Sequence, residues 1–305
     1  MTSRVSKSFA RRLLRLMLLP CMYAYMPWRV KLEMWLSLGY WPNIDNPKTF
    51  NEKIAHRKLK QRDNRYGVLA DKWRVREYVQ SKIGDNYLSK VYAIICSISE
   101  LDLESLPERF VAKPTNQSGK FFFVGRKTDL DKEHFVRVLD NWLHSKYKYG
   151  IDNGEYWYAE IPPRVMFEEW LSDGRYNVAL DYKFYVFHGK VHAIQVSFRF
   201  PHHRLNLYTP EWQQIPCMYV HPNEPVNPKD VRPAKLEEMI SVAEILGKDF
   251  DFVRIDLYHL FDSHRIIFGE MTFAPGCGYG RLVPDYYDLK FGRLWKMAPK
   301  SFGSR

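Results

Sequence analysis

The residues best suited to chemistry lie in the stretch 252–280, where charged side chains recur at strand spacing on both sides of a turn centred on Ser263. Apolar and polar residues alternate in both runs, and such alternation predicts an antiparallel hairpin. The apolar positions are Val253, Ile255 and Leu257 before the turn, and Ile267, Met271 and Phe273 after it.

The predicted register places four polar residues on one face of this hairpin. Asp256 falls opposite Glu270, and Arg254 falls opposite Thr272. Directly opposed side chains have Cβ atoms about 5 Å apart, so the two carboxylates repel unless a cation lies between them. Oxygen ligands suit Mg²⁺, and a magnesium site is one interpretation. An ordinary hairpin whose polar face meets water would explain the pattern equally well.

Composition allows one large domain or two moderate ones in 305 residues, with 46% hydrophobic and 16% aromatic residues available for a core. The net charge of +11 favours anionic partners without choosing among them. Four cysteines at irregular spacing argue against a zinc site and favour a reduced, cytoplasmic setting.

The first 40 residues combine a basic start with an apolar run that is about half the ~20 residues needed to span a bilayer. Pro20 interrupts this run, so we do not expect a transmembrane anchor. A basic amphipathic helix here would either lie on the inner face of an anionic membrane or pack on the protein's own core.

Elements between these ends are predicted from periodicity and turn residues. The helices fall at 50–62, 65–83, 129–150 and 233–247, and the strands at 87–96, 110–113, 165–171 and on both sides of the His188-Gly189 turn. By local pattern alone, the charged run at Asp71 and Lys72 predicts a solvated helix face. The polar loop 115–120 lacks the spacing of a Walker A motif, and by itself it predicts a plain hairpin loop.

The order of these signals resembles the ATP-grasp fold, and more closely its TupA-like family, linked to teichuronopeptide and other surface-polysaccharide biosynthesis. The similar stretches cover about residues 45–290 and read NPKTFNEKI, ADKWRVREYV, RFVAKP…SG, FEEWL, DYKFYVFHGK, FVRIDLY and FGEMTFAPGCG. The resemblance implies an α+β fold in which two α+β subdomains grip the nucleotide after a helical N-terminal segment. The implied divisions are 1–64, 65–164 with a lid loop, and 165–305 with the hairpin.

The resemblance also implies roles for individual residues. Lys72 and Lys113 would contact the nucleotide phosphates, and Ser118 and Gly119 would lie in the lid loop. The backbone of Glu169 and Leu171, beside Glu168, would hold the adenine edge. Asp181 or Lys183 would reach the ribose or phosphates, Arg254 would neutralise the transferred phosphoryl group, and Mg²⁺ would bind Asp256, Glu270 and Thr272. Two departures stand out, because many ATP-grasp enzymes have Asn at the position of Thr272 and relatives often read His-Gly-Ser-Gly where this lid reads Asn116-Gln117-Ser118-Gly119.

The implied activity is ATP-dependent ligation of a carboxylate and an amine through an acyl phosphate. The expected substrates are an amino acid or amine and an anionic, uronic-acid-containing glycan or its lipid-linked precursor, with acceptor contacts from Arg199, His203, Arg204 and Arg281. Two alternatives are a glycosyltransferase, whose usual Asp-x-Asp element is absent from the hairpin because its carboxylates lie on two strands instead, and a non-catalytic basic membrane- or nucleic-acid-binding module. Nucleic acid is not an expected partner, because the sequence has no RNA-binding aromatic signature or finger spacing.

Overall fold

Two antiparallel sheets carry most of the residues singled out above. The computed structural model describes residues 25–172, 179–198, 204–219 and 232–297. A four-stranded sheet has the order β1-β4-β2-β3, with β1 Val91–Ile95, β2 Phe110–Pro114, β3 Phe122–Val124 and β4 Val165–Glu168. A six-stranded sheet has the order β11-β10-β5-β6-β7-β8, with β5 Asp181–Phe187, β6 Lys190–Phe198, β7 Arg204–Tyr208, β8 Gln214–Ile215, β10 Phe252–His259 and β11 Ile266–Thr272. A small ladder pairs β9 Met218–Tyr219 with β12 Leu282–Val283.

Helices precede, connect and follow the sheets. They are α1 Met26–Leu38, α2 Phe50–Lys60, α3 Arg65–Ala70, α4 Val75–Ile83, α5 Lys132–Leu143, α6 Lys148–Asp152, α7 Leu236–Gly247 and α8 Tyr286–Leu294. Helix α2 begins with a capping box, in which the Glu52 N–H donates to Thr49 Oγ1 and the Thr49 N–H donates to the Glu52 carboxylate. Over the ranges that the structure describes, none of these helices is long and apolar enough to cross a bilayer.

Each sheet packs one face on its own core. In the six-stranded sheet, Ile255 and Leu257 are buried in the same cluster as Met239 and Leu246 of α7. In the four-stranded sheet, Phe110 packs against Phe135 of α5. Burial of one face by helices leaves the other face of each sheet for polar side chains, and these two polar faces meet at the site.

The predicted helix 65–83 is two helices, α3 and α4, because the chain breaks at Asp71. Asp71 is fully buried and its carboxylate caps the turn that leads into α4, accepting from the Trp73 N–H at 2.9 Å and the Arg74 N–H at 3.4 Å. The expectation of a solvated helix face was therefore wrong. The predicted helix 129–150 likewise ends at Leu143, before the separate short helix α6.

The change from one sheet to the other falls between Glu168 and Asp181, and the division into subdomains at residue 165 stays a prediction. Strand β4 pairs with β1 and β2, and its backbone hydrogen bonds therefore belong to the four-stranded sheet.

Candidate functional site

The predicted hairpin register is confirmed where the charged residues lie. Arg254 pairs with Thr272 and Asp256 with Glu270, but the register then shifts so that Leu257 faces Phe268. The shift leaves Gly269 as the extra residue of a bulge, where a Cβ would lie 3.0 Å from the Tyr258 ring and 3.1 Å from the Asp256 carbonyl oxygen. Beyond the bulge the alternation reverses, and Phe268 rather than Ile267 joins the main core.

Arg254 lies at the centre of the site. Its Nε donates to Asp256 Oδ1 at 2.6 Å, and its Nη2 donates to Asp256 Oδ2 at 2.7 Å, Glu270 Oε1 at 3.1 Å and Thr272 Oγ1 at 3.0 Å. Thr272 Oγ1 in turn donates to Glu270 Oε1 at 3.1 Å. One guanidinium nitrogen thus lies within hydrogen-bond distance of all three side chains predicted to bind the metal.

Lys183 adds a second cation on the same face. Its Nζ lies 2.6 Å from Asp256 Oδ2 and also forms an ion pair with Asp181. Burial opposes the charge on Lys183, but Asp181 and Asp256 outweigh it and raise the pKa of the ammonium. Two carboxylates and two cations therefore alternate along neighbouring strands β5 and β10, where each charge is compensated.

Lys72 joins this face to the lid loop of the other sheet. It lies in the turn between α3 and α4, its backbone N–H donates to the Thr115 carbonyl at 3.1 Å, and its Nζ donates to the Gln117 carbonyl at 2.5 Å. The same Nζ lies 3.9 Å from Glu270 Oε2. Burial opposes ionisation of Glu270, yet Lys72, Arg254 and Lys183 together lower the pKa of this carboxyl to about 2. Burial lowers the pKa of Lys72 itself.

The four-stranded sheet supplies Lys113 and Glu168, which form an ion pair from neighbouring strands β2 and β4. Ser89 Oγ donates to the other Glu168 oxygen at 2.7 Å and thereby fixes the carboxylate. The predicted lid residues Ser118 and Gly119 follow β2 and are at least partly exposed, and Gly119 has a φ of 72° that favours glycine.

The segment after β4 contains Glu169 and Leu171, the residues predicted to hold the adenine edge. The Glu169 carboxylate accepts two hydrogen bonds from Arg265, at 3.0 and 2.8 Å, and the Glu169 N–H donates to the Lys90 carbonyl at 2.9 Å. Leu171 packs beside a small apolar cluster that contains Ile267, the residue that the bulge turned to this face. The other members of the cluster are Ala179, Tyr258 and Leu260.

The oxygen atoms of three side chains on the hairpin could form part of the coordination shell of a hard divalent cation. Asp256 and Glu270 offer carboxylate oxygens and Thr272 a hydroxyl, and these already surround one cationic nitrogen. Within the described part of the chain, no three His, Cys, Asp or Glu side chains gather as a complete metal site. Mg²⁺ commonly binds one or two carboxylates and completes its shell with phosphate and water oxygens, and the residues present fit that mode.

A sequence profile decides the family. The profile of the TupA-like ATP-grasp family matches residues 52–296, which include both sheets and every described residue of the site. The chain belongs to the TupA-like ATP-grasp family. This membership confirms both the predicted family and the predicted ATP-grasp fold class. No curated protein matches this TupA-like chain significantly by sequence.

Solved ATP-grasp structures show more distant similarity. The D-alanine–D-alanine ligase of Bacillus anthracis in complex with ATP is 15% identical over 68% of this chain and 54% of its own, with a TM-score of 0.39. The ATP-grasp ligase PsnB, in complex with its minimal precursor, Mg and ADP, is 11% identical over 73% of this chain and 52% of its own, with a TM-score of 0.36. The D-Ala:D-Ser ligase VanG of Enterococcus faecalis is 13% identical over 75% of this chain and 60% of its own, with a TM-score of 0.37. The TupA-like chain thus spans about half the length of the first two.

Two of the four residues predicted to contact an acceptor fall within the described part of the TupA-like chain. Arg199 and His203 lie outside the described residues, and Arg204 begins β7. Arg281 forms a two-point ion pair with Asp285 at 3.0 and 3.1 Å and lies beside Gly39 at the end of α1.

Sequence reasoning missed several residues that hold the site in place. Arg164 binds the buried Asp71 at 3.0 Å, Arg265 binds Glu169, and the Gln117 carbonyl holds Lys72. A signal existed for Asp71, because an aspartate followed by an apolar helical pattern is typical of a helix cap. Arg265 is separated from Glu169 by 96 positions, and no local spacing connects the two.

Proposed function

We propose that this TupA-like protein is an ATP- and Mg²⁺-dependent ligase that joins a carboxylate to an amine. The observation that carries the proposal is the meeting of two groups of charges. Lys72 and Lys113 come from the side of the lid, and the group of Arg254, Asp256, Glu270 and Thr272 comes from the hairpin. Such an arrangement can hold a triphosphate and neutralise its developing charge, which is the main task of a protein in phosphoryl transfer.

The reaction proceeds in two transfers. An oxygen of the substrate carboxylate attacks the γ-phosphorus, the bond to the β-phosphate oxygen breaks, and ADP leaves with the charge. The amine then attacks the acyl phosphate carbon, inorganic phosphate leaves, and the amine loses a proton to give the amide. Arg254 is proposed to bind the transferred phosphoryl group, because it is the central cation among the charged side chains of the hairpin.

Charge on the hairpin must redistribute when the nucleotide binds. Mg²⁺, held by Asp256 and Glu270 with Thr272 at their side, would supply neutralisation of the phosphate oxygens. In the structure Arg254 donates hydrogen bonds to those same three side chains. If Mg²⁺ bound these oxygens, the phosphates would become the new acceptors of the guanidinium. Lys183 keeps Asp181 and Asp256 compensated throughout, and its proposed part is to fix Asp256 rather than to contact the ribose.

The adenine is proposed to lie beside the segment after β4. Among contacts between described residues, the Glu169 N–H is engaged by Lys90 and the Leu171 carbonyl by the Ala179 N–H at 3.2 Å. The Glu169 carbonyl and the Leu171 N–H are then the groups proposed to pair with the adenine edge. The apolar cluster around Ile267 would cover the face of the base.

The proposed substrates are an amino acid or other amine and a uronic-acid-containing surface glycan or its lipid-linked precursor. The excess of positive charge supports an anionic acceptor. The proposed place of action is the cytoplasmic face of the membrane, where lipid-linked precursors are available.

Nucleotide-dependent thermal stabilisation tests the nucleotide class. ATP with Mg²⁺ at about 100 times the dissociation constant is expected to stabilise the protein by about 2.7 kcal/mol. UDP-sugars are the control ligands, because the alternative glycosyltransferase would bind them instead. Stabilisation by a UDP-sugar but not by ATP would refute the ligase proposal in favour of that alternative.

A phosphate-release screen with uronic-acid glycans and the common amino acids tests the reaction. Asp256→Asn is expected to abolish release while the protein stays folded, because the side chain remains the same size but loses its charge. Asp249→Asn is the matched control, since Asp249 forms an exposed pair with Lys82 at 2.8 Å away from the site. Turnover retained by Asp256→Asn would count against the proposed metal position.

A further inference from the structure

An exposed aromatic surface runs along α1 and the loop that follows it. The side chains of Tyr25, Trp28, Trp35 and Trp41 are 61%, 49%, 37% and 49% exposed. Trp28 and Trp35 are seven residues apart and share one face of the helix, with Lys31 between them. Trp41, in the loop after α1, lies beside Trp28, and their ring centroids are 5.9 Å apart. We call these five residues the tryptophan surface.

Helix α1 packs on the rest of the protein through residues other than those of the tryptophan surface. A different face of α1 is buried, where Val30, Met34 and Leu38 form a cluster with Ile44 and with Ala55 of α2. Clustered, exposed aromatic rings mark an interaction site more often than they stabilise a monomer. Trp and Tyr combine an apolar ring with a polar edge, and both are enriched where proteins meet the membrane–water interface.

The charge around the tryptophan surface favours an anionic lipid partner. The 24 residues that end at Tyr25 contain five cations and no Asp or Glu, the cations being Arg4, Lys7, Arg11, Arg12 and Arg15. On the surface itself, the Lys31 ammonium lies 6.0 Å from the centre of the Trp28 ring. Each cation near an anionic membrane strengthens binding about fivefold at moderate salt. A basic segment that precedes exposed tryptophans in the sequence therefore supplies both contributions on which peripheral membrane binding depends, electrostatic attraction and apolar area.

We propose that the tryptophan surface docks this protein on an anionic membrane. The rings of Trp28, Trp35 and Trp41 enter the headgroup region, Lys31 lies against anionic lipid headgroups, and the basic residues that precede α1 in the sequence add to the attraction. This contact is peripheral, because only one face of α1 is free to meet the lipid while the other is buried in the protein.

Docking at this surface would also orient the proposed active site. The guanidinium of Arg281 lies beside Gly39 at the end of α1, and Tyr279 packs on the cluster of Val30 and Met34. Tyr279 and Arg281 belong to the loop that follows β11, the strand that carries the proposed metal ligands Glu270 and Thr272. Docking therefore brings this loop close to the lipid surface, where it can meet a lipid-linked acceptor; this last step rests on the proposed function.

Vesicle co-sedimentation of the full-length protein tests the docking. Vesicles that contain phosphatidylglycerol are expected to bind the protein, and pure phosphatidylcholine vesicles are expected to bind it at least about tenfold more weakly. The triple variant Trp28→Ala/Trp35→Ala/Trp41→Ala is expected to lower the partition coefficient on anionic vesicles at least about tenfold, because it removes the apolar area that enters the interface. Tyr286→Ala is the matched control, since Tyr286 is 58% exposed on a different helix, α8.

Three results would overturn the proposal. The first is equal binding of the triple variant and the wild-type protein, with both shown to be folded by circular dichroism. The second is equal binding to anionic and neutral vesicles. The third is a wild-type dimer by light scattering that the triple variant converts to a monomer, which would make the surface a contact between two copies. ATP-dependent phosphate release, measured without vesicles, is independent of all three results, and its failure would refute only the proposed function.

Discussion

Replacement of Lys183 by methionine tests whether the charges on the sheet are a mutually dependent set. Lys183 is the cation that β5 contributes between Asp181 and Asp256, and all three side chains are at most 11% exposed. Methionine keeps most of the length and apolar volume of the stem but removes the ammonium. Asp181 then loses this cation while it is buried, and Asp256 keeps only Arg254.

The expected cost follows from the burial of the pair. Removal of one partner of a buried ion pair costs about 3–5 kcal/mol, and we expect about 3 kcal/mol because Arg254 still compensates Asp256. The entropy of unfolding is about 2.1 cal/mol/K per residue, which gives about 0.64 kcal/mol/K for 305 residues. The Lys183→Met variant should therefore melt about 5 °C below the wild-type protein.

Differential scanning calorimetry near neutral pH is the assay. The pKa of Lys183 is raised in the folded protein, so its contribution is fully present below the ordinary lysine pKa and is lost only as pH rises through the folded value. Lys190→Met is the control, because Lys190 pairs with Glu244 at 2.7 Å at 72% exposure and should cost less than about 1 kcal/mol. The double variant Asp181→Asn/Lys183→Met should recover part of the loss. Equal melting temperatures for Lys183→Met and Lys190→Met would refute the reasoning.

Three further substitutions have defined outcomes. His259 is fully buried, and burial lowers its pKa to about 4. The unfolded chain therefore binds the proton more tightly, and the free energy of unfolding should fall by about 3 kcal/mol as pH drops from 6.5 towards 4. His259→Phe should abolish that loss in urea titrations over this range, and an unchanged pH dependence in the variant would contradict the assignment to His259. Thr49→Ala removes the cap of α2 and should cost about 0.5–2 kcal/mol by thermal melting, whereas Thr49→Ser should restore most of it. Gly269→Ala forces a Cβ to within 3.1 Å of the Asp256 carbonyl oxygen, and it should cost about 1–3 kcal/mol and weaken ATP–Mg²⁺ binding in calorimetric titrations; wild-type affinity would show that the bulge does not position Asp256.

The register of the charged hairpin could be predicted because strand side chains have a period of two and the turn is short. Arg254 and Asp256 therefore faced Thr272 and Glu270 as expected. The bulge at Gly269 could not be predicted, since it depends on contacts with Tyr258 that no local pattern encodes. The sequence thus located the charged end of the hairpin and assigned its apolar end to the wrong face.

Long-range contacts limited the prediction elsewhere. Asp71 belongs to a run of charges that is usual on solvated helices, and only its contact with Arg164, 93 positions away, explains why it is buried. The structure places the Lys183 ammonium between Asp181 and Asp256, and no local pattern indicated these two partners. Family resemblance gave the identity of these residues, and only the folded structure gave their partners.

Lys72 contacts residues of both halves of the site, so its accessibility to a reagent reports whether they separate. Its ammonium touches the lid through the Gln117 carbonyl and lies 3.9 Å from Glu270 on the hairpin, so any rotation of one sheet against the other must lengthen one of these two contacts. The Lys72 side chain is only 12% exposed, so such a rotation would open it to reagents in solution. The rate at which an amine-selective reagent labels Lys72 is therefore a gauge of opening, and ligands that close the cleft should slow that labelling.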